Sequence, residues 1–219
     1  MNNLAQLVLD DFNEKIRKNE IIPGARIVEQ QIAHELKISR TPVREALFRL
    51  EQEGLLETIE NVGTFVRNIS IEDIIEIYEI RAILEGLAAR LLVRSGNNTH
   101  LIDKLEIIAD EYDRLFEKEA RVDVLEALDI KFHNLIIDNC GSRELKKKIQ
   151  NGFPLVSIFK QRKRVITVSQ LLQTGKEKYG HKKIITAIKS KKEYLAEKNM
   201  RKHVIEGKNK LLAIYLRKI

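Results

Sequence analysis

Cysteine is nearly missing from this chain: Cys140 is the only one in 219 residues. A lone thiol cannot build a disulfide framework, which fits a reducing cytoplasm. Tryptophan is absent and there are only three prolines. With Leu, Ile, Lys and Glu abundant, that composition suggests a mostly helical protein. No apolar run approaches the roughly 18 residues of a membrane span. The N-terminus, with two Asn and two Asp, offers no cleavable apolar stretch, so no signal peptide is expected. Hydrophobic residues make up 43% of the chain, enough to bury the core of one domain or two.

Charge of one sign is scarce where a nucleic-acid binder would be expected to carry it. The net charge is +7, but residues 1–69 hold 9 Lys/Arg against 11 Asp/Glu. Residues 70–142 hold 8 against 16, and residues 143–219 hold 22 against 5. The basic last third is expected to face the acidic middle third or solvent rather than DNA. Basic residues in the first third must therefore act by placement.

Leu4, Leu7, Val8, Phe12 and Ile16 recur at helical spacing. Pro23-Gly24 breaks the chain before the short extended piece Arg26-Ile27-Val28, and Ile32, Ala33 and Leu36 mark a second helix. Lys37-Ile38-Ser39 turns into a third, with Thr41 as the expected cap and Pro42 at the first helical position. Val43, Ala46, Leu47 and Leu50 share its inward face. Thr41, Arg44, Glu45 and Phe48 are left outward, with Ser39 and Arg40 at the tip. A helix in the major groove reads bases with its N-terminal residues. Arginine there can grip guanine with two hydrogen bonds, and hydroxyls can reach phosphates or bases. Two strands, Leu55 to Ile59 and Thr64 to Arg67, are joined by a turn in which Gly63 permits close approach to DNA. This order of helix, turn, helix and hairpin is that of a winged helix-turn-helix domain over residues 1–69.

Residues 70–219 have helical patterns only, which argues an all-α bundle. Ser70 and Asp73 resemble a capping box with Asp in place of Glu. The helix behind them has an apolar stripe of Ile74, Ile77, Tyr78, Leu84, Ala88 and Leu91, and Arg81 and Glu85 lie on it. Being i and i+4, these two suit a mutual ion pair; equally, Arg81 suits an anionic ligand. Further helices are expected over 98–119, 121–139, 142–166, 168–190 and 192–217, with Ser142 as a cap. Asp129 and His133 share one helix face at i and i+4, a spacing suited to one metal ion. His181 and His203 also fall on inward faces. Three imidazoles and a carboxylate suit zinc, nickel, iron or manganese with an open position. Each histidine taken singly is better explained as a satisfied core or surface residue, and spacing alone cannot bring three helices together. His34 and His100 fit no such set.

The run Ser-Arg-Thr-Pro-Val-Arg-Glu-Ala-Leu at Ser39 to Leu47, with Pro23-Gly24, Ile32-Ala33, Leu36 and Glu53-Gly54-Leu55, resembles the N-terminal domain of the GntR family of bacterial transcription regulators. That resemblance implies DNA contacts from Ser39, Arg40, Thr41 and Arg44, with Gly63 at the wing tip. An arginine that several members carry on the second helix is replaced here by Gln30. Tyr78-x-x-Arg81-x-x-x-Glu85-x-x-Ala88-Ala89, Asp129-x-x-Phe132-His133, His181-x-x-Ile184-x-x-Ala187-Ile188 and His203 resemble the FCD effector domain of the FadR subfamily. Six helices look closer to its VanR-type group than to the seven-helix type. In metal-binding members the ligands match Asp129, His133, His181 and His203, and a small carboxylate binds at the metal near an arginine, for which Arg81 is the candidate. Ser142 and Gly180 depart from the family's usual Asn and Glu.

The expectation is a mainly α, cytoplasmic, homodimeric regulator, more often a repressor in this family. It would bind a pseudo-palindromic DNA operator and hold one divalent metal, zinc or nickel foremost, with a small carboxylate effector. Two other readings stand beside it. One is a DNA-binding dimer with no metal or effector. The other is a metal-dependent hydrolase, against which no general base such as the Glu of His-Glu-x-x-His is found.

Overall fold

Ala5, Val8, Leu9, Phe12 and Ile16 are the buried stripe of the first helix, α1 (Asn3–Arg17), in a computed structural model that describes residues 3–18, 20–96, 99–150, 155–156 and 180–216. Leu4 and Leu7, expected on that stripe, are exposed. The small Ala5 and the neighbouring Leu9 replace them, turning the helix by part of a residue's arc. The chain divides into two compact units, one holding residues 3–74 with 155–156, the other residues 75–150 and 180–216.

In the first unit, α1 is followed by β1 (Arg26–Ile27), α2 (Glu29–Glu35), α3 (Arg40–Gln52), β2 (Leu56–Ile59) and β3 (Gly63–Val66). The short extended piece at Arg26 joins the hairpin as a third strand, giving the order β1-β3-β2 with both pairings antiparallel. Arg26 lies opposite Phe65, and Ile59 opposite Gly63. α3 packs on α1, α2 and β2 through Val43, Ala46, Leu47 and Leu50, all buried as their spacing predicts. Its start differs from expectation: Ser39, in extended conformation, is the N-cap, and its side chain makes no capping bond. Thr41 is the second helical residue and Pro42 the third. A proline there still costs no hydrogen bond, because the first four helical N–H groups have no intrahelical acceptor.

The next helix, α4 (Ile71–Arg94), begins with the anticipated capping box. Asp73 N–H donates to Ser70 Oγ at 3.0 Å, and Ser70 N–H donates to Asp73 Oδ2 at 2.8 Å. Arg67 donates to the other carboxylate oxygen at 2.6 Å.

The second unit takes up α4 and adds α5 (Thr99–Glu117), α6 (Val122–Asn139), α7 (Arg143–Gln150), α8 (Gly180–Lys189) and α9 (Glu193–Leu216). α6 packs on α5 and α7, and α8 on α5 and α9. Ser142 Oγ accepts from Leu145 N–H at 3.2 Å, the predicted cap of α7. The stretches of the expected 142–166 and 168–190 helices beyond α7 and before α8 lie largely outside the described residues. The core centres on Phe132, Ile136, Ile137, Leu105, Ile184 and Met200. Among the described residues, no helix is long and apolar enough to cross a membrane.

Candidate metal centre and nucleic-acid interface

Asp129 and His133 stand one turn apart on α6, His181 is the second residue of α8, and His203 lies mid-way along α9. Helix periodicity explains only the first pair. The packing of α8 on both α9 and α5, with α5 in turn on α6, brings the other two imidazoles to it. One ligand atom from each of the four lies within 4.8 Å of all the others. Asp129 Oδ1 is the hub: His181 Nε2 is 3.0 Å away, His203 Nε2 3.5 Å and His133 Nε2 3.7 Å. Apolar rings wall the site. The Phe132 ring lies 4.3 Å from that of His181, and Tyr112 meets His181 edge-on at 4.9 Å.

Behind the four stands a second layer running along α4. Arg81 Nε donates to Glu85 Oε1 at 2.7 Å, and Glu85 Oε2 bonds His133 Nδ1. Both α4 residues are buried, Glu85 completely. Of the two roles open to Arg81, the internal ion pair is present. Burial pushes the Glu85 carboxyl up, but Arg81 and then His133 outweigh it and hold it at about 2. An ionised carboxylate only accepts hydrogen bonds, so His133 Nδ1 carries the proton and its Nε2 faces the cluster. Arg81 also stacks over the Tyr78 ring, 5.0 Å from its centroid.

The electrostatics suit cation binding. Burial would raise the Asp129 carboxyl, yet the charge of His133 and the N–H groups of His181 and His203 hold it well below the usual carboxylate range. Burial, then the neighbouring His203, pushes His181 down to about 4, so its imidazole is neutral at physiological pH. His133 goes the other way: burial opposes its charge, but Glu85 and Asp129 raise its pKa above the ordinary value. The donor set of three imidazoles and one carboxylate, backed by a carboxylate on a ring N–H, fits a first-row divalent ion.

Gly180 also has a local reason. A Cβ there would stand 2.5 Å from His203 Nδ1, closer than real contacts allow, so a larger residue would displace that ring. His34 and His100 are exposed and apart from this cluster.

In the first unit, Ser39, Arg40, Thr41 and Arg44 all lie on the exposed side of the α3 start, as their spacing requires. Gly63 has a φ of 140° at the head of β3, and a Cβ there would lie 3.1 Å from Arg26 Nε. Arg26 in turn donates to Val62 O at 3.0 Å, tying the wing turn to β1. Glu29, the first residue of α2, carries no sequence signal that links it to Arg40 and Arg44. Its Oε2 accepts from Arg44 Nε at 2.8 Å and from Arg40 Nη2 at 3.0 Å. Acidic residues open many helices, so nothing in its spacing set it apart.

Residues 4–66 match the model of bacterial regulatory proteins of the gntR family, and residues 76–206 match that of the FCD domain. The chain belongs to the GntR family. It is 33% identical over 134 residues to YdhC, an uncharacterized HTH-type transcriptional regulator of Bacillus subtilis, a match spanning 61% of this chain and 59% of that protein. The chain thus spans about three-fifths of the length of that relative. A longer match, 29% identical over 204 residues, covers 92% of the chain and 85% of a probable D-xylose utilization operon transcriptional repressor of Paenarthrobacter nicotinovorans. Among solved structures, E. coli McbR/YncC superposes with a TM-score of 0.79 at 21% identity, covering 98% of this chain and all of that one. At that identity the likeness concerns the fold. The GntR family is one of regulatory proteins rather than enzymes, which sets the hydrolase reading aside.

Two outcomes follow from the buried layer. Glu85→Ala leaves the Arg81 cation buried without its ion-pair partner and should cost roughly 3–5 kcal/mol of stability. Denaturant unfolding checks this, and a loss below 1 kcal/mol would mean that water reaches Arg81. The raised pKa of His133 bears on metal binding. An ion taken by the four groups needs a neutral His133, so it competes with the proton this ring retains to higher pH. Zinc binding should therefore release protons and weaken as pH falls, read by calorimetry in buffers of different ionisation enthalpy.

Proposed function

We propose that this GntR-family chain is a cytoplasmic, DNA-binding transcriptional repressor whose operator affinity is set by a small carboxylate bound at a metal held by Asp129, His133, His181 and His203. The observation that carries the metal reading is the convergence of these four donor groups, from three helices, to within 4.8 Å of one another. Zinc or nickel suits the donor set best. The ion would supply a Lewis-acidic point to which a carboxylate oxygen attaches, and Arg81 is the candidate cation for the rest of the effector. The Arg81 Nε is held by Glu85, which fixes the orientation of the guanidinium.

The DNA reading rests on the α3 start. Ser39, Arg40 and Thr41 would meet phosphates and base edges, Arg44 would read a base, and Gly63 would let the wing approach the duplex. We assign DNA binding to residues 1–69 and effector binding with dimerisation to residues 70–219. A homodimer would set one winged domain on each half of a pseudo-palindrome. Effector control requires the effector to bind two arrangements of that dimer with different affinities.

One observation favours a second reading, a DNA-binding dimer with neither metal nor effector. The cluster satisfies itself by hydrogen bonds, with Asp129 bonded to His181 and Glu85 to His133.

Elemental analysis of tag-free protein purified without chelator separates the two. About one transition-metal ion per chain is expected, lost together with thermal stability in Asp129→Ala/His133→Ala. Absence of metal from the wild type would leave the second reading. Arg44→Ala should abolish discrimination between operator and scrambled duplex while the dimer persists. Unchanged discrimination would remove Arg44 from the readout.

A further inference from the structure

Two of the four exposed residues at the α3 start are arginines, and both are engaged. Arg40 and Arg44 donate to the same oxygen of Glu29, Oε2. Their side chains are 56% and 63% exposed, while that of Glu29 is 30% exposed. Glu29 does not cap its own helix: the N-cap of α2 is Val28, whose side chain makes no capping bond. The carboxylate instead reaches across to the neighbouring helix.

As a stabilising device this arrangement is weak, because exposed ion pairs contribute little. As a device for phosphate attraction it is counterproductive. A carboxylate beside two cations lowers the local positive charge, and phosphate affinity depends on that charge. What the geometry supplies is orientation. Arg44 is held through Nε, so its two Nη groups stay outside the bond. They are a pair of donors of the kind that grips O6 and N7 of guanine. Arg40 is held through one Nη, which takes a member of that pair and suits a phosphate contact better than a base contact. Burial opposes ionisation of Glu29, but the two guanidinium groups outweigh it and hold its carboxyl below the usual range. The carboxylate is therefore charged wherever the protein would meet DNA.

We propose that Glu29 is a positioning residue for DNA readout: by holding Arg40 and Arg44 on one carboxylate oxygen, it orients the Arg44 guanidinium for a guanine edge and restrains binding to unrelated sequence. The inference rests on the proposed DNA-binding role. It separates that role into a reader, Arg44, and the group that aims it.

The test uses the whole chain purified without chelator, duplexes enriched from a random pool by the wild type, and a scrambled duplex of equal composition. Glu29→Gln keeps the side-chain shape and removes the charge. The ratio of scrambled to selected dissociation constants should fall about tenfold, the scale of losing one well-made base contact. Binding to scrambled DNA should tighten, and its salt dependence should steepen by about one released ion. Glu29→Asp keeps the charge but shortens the reach. It should lower the same ratio without tightening scrambled binding, which separates positioning from charge alone. Thermal melting confirms that both variants are folded, as expected for a side chain outside the core.

Equal tightening on both duplexes in Glu29→Gln, with the ratio unchanged, would reduce Glu29 to a surface charge and overturn the inference. So would a Glu29→Asp protein that discriminates like the wild type. A wild type that enriches no sequence at all would overturn the DNA-binding reading, and this inference with it.

Discussion

A buried arginine cannot be left without an acceptor, and that constraint organises the helical unit. Arg81 enters the core on α4, where Glu85 one turn on answers it. Glu85 is wholly buried, and its second oxygen needs a donor in turn, which His133 supplies from α6. Fixing the proton on His133 Nδ1 leaves Nε2 facing Asp129, which also draws the rings of His181 and His203. The chain of partners thus runs from a cation on α4 through two carboxylates to three imidazoles. Each member is oriented by the one before it. Substitution anywhere along the chain leaves a charge or a polar atom unsatisfied in a low-dielectric interior, where such groups are most costly.

The surface charges follow a different logic, and they explain why net charge misleads here. Lys182 on α8 pairs with Asp110 and Asp113 on α5, and Lys189 with Glu106. Lys208 on α9 meets Glu79 on α4. The basic last third of the chain spends these cations on the acidic middle third. Arg90 and Arg94 on α4 reverse the signs, pairing with Glu197 and Glu193 of α9. The slightly acidic first 69 residues, by contrast, expose two arginines at one helix tip and balance them against a single carboxylate.

Much of this was legible in the sequence because it depends on local chemistry. The inward face of α3, the reciprocal bonds of Ser70 and Asp73, and the Ser142 cap follow from spacing and side-chain type. Asp129 and His133 share a helix face for the same reason. The i,i+4 pairing of Arg81 with Glu85 was one of two roles their spacing allowed. The third strand at Arg26 could be read only as extended chain, since its partner Phe65 is 39 residues away. The cap of α3 is Ser39 rather than Thr41, two residues on, because the two are chemically interchangeable there and backbone dihedrals decide between them. Leu4 and Leu7 fit an inward stripe by periodicity, but the neighbouring Ala5 and Leu9 satisfy it equally well and are the buried pair.

What could not be read was contact between elements far apart in sequence. Glu29 joins Arg40 and Arg44 across the turn between α2 and α3, and no periodic pattern relates residues of two helices. Gly180 looked like the loss of a useful acid, but the close approach of His203 Nδ1 makes a side chain there an obstacle. The same close packing governs what the imidazole cluster can accept. Its groups already share protons, His181 with Asp129 and His133 with Glu85, so a metal ion would enter by displacing a proton rather than by filling space. Affinity for the ion and affinity for the proton are therefore linked through His133, whose raised pKa comes from Glu85 and Asp129. Because Arg81 holds Glu85 in place, the cation that suits an anionic effector also tunes the ring that would bind the metal. An effector that drew Arg81 away from Glu85 would remove a charge that opposes protonation of His133 and leave the Glu85 carboxylate to hold that proton more tightly, coupling ligand, proton and metal through one buried carboxylate.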